Sequence, residues 1–314
     1  MAGITLPEIL EFDNRFYETY YSPENVILAT SPELVFINAI CSGEIDKAVD
    51  MFDEMQQFGD DKSSVDAPQG RFEGKEAIRT FCENWLNYAQ ADASYVVPVV
   101  QTRSGGRSCT EMVVHYQYRE LGKTLKFPIC VVGDLREGGR LDEIRIYFFF
   151  KWLPGISAYR HRIFKPSHNE QAELNSMCNV IREYIDALTN LGDEGGMKRI
   201  LATMNDDVIY GGYRPESISP VIQGKDRVAK KYESFIGLPQ TIRFESIIDN
   251  DITAVCEWVG VPNGRDESGR VPLLQSGVGI YDRDPATGKL KAVRIIDNFR
   301  FQHEIDWDKV DIRY

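Results

Sequence analysis

The chain has 314 residues, 43% of them hydrophobic and 27% charged, with 48 acidic against 36 basic side chains and a formal net charge of -12 at pH 7. This is the composition of a soluble globular protein rather than a disordered one, and the length suits two domains of about 130 to 150 residues. The acidic balance argues against nucleic acid or an anionic membrane as partner, since both call for clustered Lys and Arg, and no stretch approaches the roughly 18 apolar residues of a membrane span. Six scattered cysteines (Cys41, Cys82, Cys109, Cys130, Cys178, Cys256) lack the close pairing of zinc or redox motifs and read as reduced, mostly buried thiols. Met1 to Tyr21 shows no basic start, apolar stretch and cleavage site, so a cytoplasmic protein is expected.

Residues 1–30 read as an appended helical arm, with Leu6, Ile9, Leu10, Phe16, Tyr17 and Tyr20 recurring at spacings of three and four. Ser31-Pro32-Glu33 then opens a helix with an N-cap and a proline in its first turn, ending near Ser42-Gly43. Ile45 to Phe58 reads as a second helix. Ser63 to Ala67 is a short extended segment, and Gly74 precedes a third helix whose apolar side holds Ile78, Phe81, Cys82 and Trp85. From Tyr95 the period changes to two, giving strands at Tyr95 to Thr102, Cys109 to Tyr118, Thr124 to Val132 and Arg140 to Phe150. Helices followed by a meander of strands make an α+β pattern rather than βαβ order.

The stretch 153–171, with Pro154-Gly155 and Pro166, reads as a linker. The same order then returns: helices at Asn175 to Leu191, Gly196 to Met204 and after Gly224, and strands at Val208 to Tyr210, Thr241 to Ile248, Thr253 to Val261, Val271 to Tyr281 and Lys289 to Phe301. Residues 304–314 form a short acidic tail. Three anchors repeat about 149 residues apart: Phe36-Ile37-Asn38-Ala39 with Tyr184-Ile185-Asp186-Ala187, Gly74-Lys75-Glu76 with Gly224-Lys225-Asp226, and Leu141 to Ile146 with Leu290 to Ile295. Two copies of one domain are expected, at 31–152 and 172–303, each with its own core because the period is too long for a solenoid.

Arg182 to Leu188 followed by Gly192-Asp193, Asp206-Asp207-Val208-Ile209, and Val65-Asp66-Ala67-Pro68 with Gly74 to Arg79 resemble the nuclear-transport-factor-2-like superfamily, specifically its SnoaL-like and ketosteroid-isomerase-like members. The resemblance covers about residues 31–151 and 172–303. It implies two tandem cone-shaped domains, each with three helices packed in a curved mixed sheet around a mostly apolar pocket, joined as an intramolecular pseudo-dimer. Since the superfamily holds isomerases, cyclases, dehydratases, epoxide hydrolases and non-catalytic binders, the fold alone does not settle function.

Three residues are candidates for chemistry. Tyr184 falls where ketosteroid isomerases place a tyrosine that donates to an enolate oxygen; the alternative is a core tyrosine with a structural partner. The first copy has Phe36 there. Asp297 follows Val293 and Ile295 in period two, at the place where SnoaL-like cyclases hold their aspartate, and burial would suit it to proton transfer; a solvated strand end is the competing reading. The first copy has Phe148. Asp66 reaches the isomerase base position when counted from Asp60-Asp61, whereas alignment through Pro68 puts Ala67 there, and one residue of slip reverses the face. The isomerases' second oxyanion donor aligns with Cys130 and with Gly277, neither of them a good donor. Tyr210, Trp258, Gln275 and Phe299 are candidate substrate-binding residues.

Glu111 and Glu257 occupy matching strand positions, on the face opposite Met112, Val114, Tyr116 and Trp258, and point to a sheet-to-sheet interface or to solvent. His115 shares the face of Glu111 as a candidate partner for it. The expected activity is general acid/base catalysis without cofactor or metal, of cyclase, isomerase or dehydratase type, on a small hydrophobic molecule bearing a carbonyl. An epoxide-opening enzyme of the same fold and a non-catalytic binding or scaffold protein are the alternatives, and further homo-oligomerisation is open.

Overall fold

The computed structural model describes residues 31–52, 62–67, 70–87, 91–119, 123–136, 139–148, 179–211, 221–236, 240–262 and 276–297. The expected arm, linker and tail lie outside the described residues. The first half contains α1 (Pro32–Cys41), α2 (Ile45–Asp50), β1 (Ser64–Ala67), β2 (Gly70–Glu73), α3 (Lys75–Leu86), β3 (Tyr95–Ser104), β4 (Arg107–Tyr118), β5 (Lys123–Leu135) and β6 (Leu141–Tyr147). The second contains α4 (Val180–Thr189), α5 (Gly196–Ala202), β7 (Met204–Tyr210), β8 (Ile222–Gln223), α6 (Lys225–Glu233), β9 (Gln240–Asp249), β10 (Thr253–Pro262), β11 (Ser276–Arg283) and β12 (Leu290–Asp297).

The helices begin where their capping chemistry places them. Ser31 Oγ accepts the Leu34 amide at 3.0 Å at the head of α1, and Asn179 Oδ1 accepts the Ile181 amide at 3.0 Å at the head of α4, each satisfying a donor that the first turn leaves open. In α3, Ile78, Phe81, Cys82 and Trp85 are all buried, one stripe at helical spacing. The second helix is shorter than its sequence pattern suggests: α2 stops at Asp50, and Phe52 bridges to Leu141 in β6. A hairpin strand, β2, pairs with β1 where no strand was expected.

The two sheets have the same order, β2-β1-β6-β5-β4-β3 and β8-β7-β12-β11-β10-β9. All neighbours are antiparallel except β1 with β6 and β7 with β12. One face of the first sheet, including Val65, Met112, Val131 and Ile144, packs on α1 and α3 in a core with Phe36, Ile37 and Phe81. The corresponding face of the second sheet, including Tyr210, Trp258, Tyr281 and Val293, forms a separate core with Ile181, Tyr184, Val228 and Tyr232. The outer faces meet each other: Cys109, Val113, Cys130, Val132 and Tyr147 share one cluster with Val255, Val259, Val278, Ile280 and Ile296. The fold is therefore α+β, two domains in tandem packed sheet to sheet.

Candidate functional site

Among the described residues, the second domain's interior holds a cluster of phenols. Tyr184 on α4, Tyr232 on α6 and Tyr281 on β11 are shut off from solvent, and Tyr210 on β7 nearly so. The Tyr184 and Tyr232 hydroxyls lie 2.6 Å apart and share a hydrogen bond. The Tyr184 ring is 4.9 Å from that of Tyr281, and Tyr210 meets Tyr232 edge to face at 5.7 Å. Burial, reinforced by the neighbouring phenols, pushes the pKa values of Tyr184, Tyr232 and Tyr281 well above the ordinary tyrosine range. They stay neutral, each hydroxyl able to donate one bond and to accept others.

Two glycines on the same face of β11 make room for these rings. A side chain at Gly279 would stand within 2.6 Å of Tyr281 Cζ, and one at Gly277 within 2.8 Å of Trp258 Cε2. Trp258 thus covers Gly277, the residue aligned with the isomerases' second donor. Gly277 pairs on its other side with Asp297, the last residue of β12. The Asp297 side chain, Gln275 and Phe299 lie outside what is described. The structure accordingly brings Tyr184, Tyr210 and Trp258 into one core and sets the Asp297 backbone two strands from Trp258.

Asp66 is placed elsewhere. Val65 and Ala67 enter the first domain's core, so the intervening Asp66 takes the opposite face of β1, 3.7 Å from the Arg71 guanidinium. The alignment through Pro68 is the one that matches the pleat: Ala67, not Asp66, faces inward, and Asp66 is not brought together with Tyr184. The first domain's interior has phenyl rings at the two corresponding positions. Phe36 packs edge-on to Phe52 at 5.4 Å and Phe148 to Trp85 at 5.9 Å. Among the described residues a buried carboxyl there is that of Glu33, in the first turn of α1, with Ser108 donating to Oε1 and Thr110 Oγ1 3.1 Å from Oε2. It occupies the space over Gly133. Burial raises the pKa of Glu33, and the hydroxyls of Ser108, Thr110 and Ser31 only partly oppose it.

Glu111 and Glu257 both turn to the sheet interface, where they meet the two arginines of the repeated anchor in reciprocal fashion. Arg294 on β12 grips Glu111 with two bonds of 2.8 and 2.9 Å. Arg145 on β6 grips Glu257 with two of 2.7 and 2.9 Å. Tyr147 and Ser246 also donate to Glu257, and each arginine is braced by an aspartate of its own sheet, Asp134 for Arg145 and Asp282 for Arg294. Burial would raise Asp134, but Arg145 and Arg107 hold it well below the usual carboxylate range. His115 stacks on Tyr95 at 4.3 Å. Cys130 also faces this interface, its Sγ 3.0 Å from that of Cys109, and is no donor to either interior.

Tyr232, Tyr281 and Glu33 were not singled out from sequence. Tyr232 has a visible signal, four residues after Val228 on the buried side of α6. Tyr281 follows Gly277 and Gly279 in period two. Glu33 reads locally as an ordinary acid in a first helical turn, and only the path of β4 and β5 reveals its burial.

No family model and no curated protein matches the chain. The solved structures similar to it are NTF2-like and ketosteroid-isomerase-like folds. They include an NTF2-like protein of unknown function from Exiguobacterium sp. 255-15 (14% identity, 39% of this chain and 100% of that one, TM-score 0.32). Another, from Catenulispora acidiphila, has a ketosteroid isomerase-like fold and was solved with trimethylamine (14% identity, 41% and 94%, TM-score 0.34). A third, from Mycobacterium tuberculosis, was solved with estradiol-17beta-hemisuccinate (17% identity, 38% and 95%, TM-score 0.30).

Proposed function

We propose that the second domain is a cofactor-independent general acid/base catalyst, of cyclase, isomerase or dehydratase type, acting on a small hydrophobic molecule that bears a carbonyl. The observation that carries this reading is the hydrogen bond between the Tyr184 and Tyr232 hydroxyls inside an apolar core. Negative charge developing on a substrate oxygen at Tyr184 would be met by a donor that is already oriented, and Tyr232 would strengthen it by donating to the Tyr184 oxygen in turn. No water need reorganise. In this reading Asp297 moves the proton and Tyr210 and Trp258 bound the substrate. The first domain, with Phe36 and Phe148 at the matching positions, supports the second through the sheet interface.

The test is exchange of α-hydrogens of a panel of cyclic ketones in deuterated water, followed by NMR, which reads enolate formation whatever the later chemistry. The full chain should catalyse exchange, and Tyr184→Phe and Asp297→Asn should each lower it by about 10²-fold or more with little change in melting temperature. Undiminished exchange in both variants ends the assignment.

A further inference from the structure

Glu33, in the first turn of α1, is buried together with Ser31, Ser108 and Thr110, and these side chains form one polar niche inside the first domain. Ser108 donates to Glu33 Oε1, Thr110 Oγ1 lies 3.1 Å from Oε2, and the Glu33 backbone amide meets the same carboxyl. Thr110 Oγ1 is in turn 2.8 Å from Ser31 Oγ, which accepts the Leu34 amide at the helix head. Gly133 makes the floor: a Cβ there would stand 3.1 Å from Glu33 Cδ. The second domain replaces this set as a whole. Its register answers Ser108 opposite Gly133 with Ala254 opposite Tyr281, and Thr110 opposite Val131 with Cys256 opposite Gly279. The anchor that matches Phe36 with Tyr184 matches Glu33 with Ile181. An apolar side chain would fill the space over Gly133 without the desolvation that a carboxyl entails, so the niche suits its occupant in chemistry as well as in volume.

We propose that this niche is a binding site for an undissociated carboxylic acid, which the first domain keeps filled with its own Glu33 as a tethered ligand. The groups that meet the carboxyl are hydroxyls, which donate and accept, and one amide. All are uncharged, so the neutral acid fits better than the anion, whose burial calls for a charged partner. A side chain held at the helix head competes at a far higher effective concentration than an acid in solution. The first domain is thereby closed to free ligands of this class. The niche is separate from the phenol cluster, and its occupancy is independent of any chemistry in the second domain.

The experiment is a melting-temperature titration of the full chain carrying Glu33→Ala, a substitution that removes from the niche the atoms of one acetic acid molecule. Added acetate should raise the melting temperature saturably, and more at about pH 5 than at about pH 7, where less of the acid is undissociated. The unaltered chain should not respond, and neither should Glu33→Ala with the bulkier pivalate. Adding Ser108→Ala to Glu33→Ala should raise the half-saturating acetate concentration by about tenfold, the effect of losing one hydrogen bond. No acetate response in Glu33→Ala overturns the proposal, as does an equal response in the unaltered chain or with pivalate. An unchanged half-saturating concentration in the double variant places the acetate outside the niche and overturns it as well. If Glu33→Ala folds only in the presence of acetate, that recovery supports the tethered ligand; no recovery with acetate refutes it.

Discussion

Glu33 and Tyr281 fill corresponding space in the two interiors with opposite chemistry, an acid over Gly133 and a phenol over Gly279. The acid carries a consequence for stability. Its folded-state pKa is raised above the ordinary value of 4.5, so folding favours the protonated form; the contribution is complete below that value and is lost as pH rises through the raised one. Glu33→Gln, which keeps the shape without the titration, should gain on the unaltered protein as pH rises from about 4 to about 9. Melting temperatures of both across that range check this, and a difference independent of pH would show that the Glu33 carboxyl is not held protonated by its burial.

At the scale of elements, the strands β4, β6, β10 and β12 carry the join between the domains. Each contributes one member of a reciprocal Arg–Glu pair, and all four side chains are at most 1% exposed. Burial pushes Glu111 up to about 7 even with Arg294 beside it, so the pair is poorly compensated if the arginine goes. Arg294→Met should cost about 3–5 kcal/mol by leaving a buried carboxyl with its charge partner removed, while Arg294→Met with Glu111→Leu should recover most of that loss. Urea denaturation of the single and double variants measures both, and a double variant no more stable than the single one would refute the pairwise account. The net contribution of each pair to stability is small, because two charges withdrawn from water repay little beyond their own desolvation.

For the whole molecule, the interface is a third core. It joins apolar residues of both sheets to the two charge networks, and neither half could expose that face to water without uncovering both. The two domains should therefore unfold as one unit, with calorimetric and van't Hoff enthalpies in a ratio of about one for the full chain. Two resolved transitions would show that each domain stands on its own core and that the interface contributes little.

The fold class, the helix starts and most of the strands follow from local signals: Ser31 and Pro32 at a helix head, the stripe Ile78, Phe81, Cys82 and Trp85, and period two from Tyr95 onward are properties of neighbours in the chain. So is the burial of Tyr184 on the apolar side of its helix. The side on which Asp66 falls was open by one residue, because a strand's period fixes alternation but not which parity faces in; its pairing with β6 and β2 decided that. The partners of Glu111 and Glu257 were beyond reach for a related reason. Arg294 and Arg145 stand 183 and 112 residues away, and only the packing of one sheet on the other brings them within bonding distance. The phenol cluster lies between these cases: each tyrosine has a local pattern that buries it, but the meeting of three hydroxyls from two helices and a strand exists only once the sheet has closed over α4 and α6.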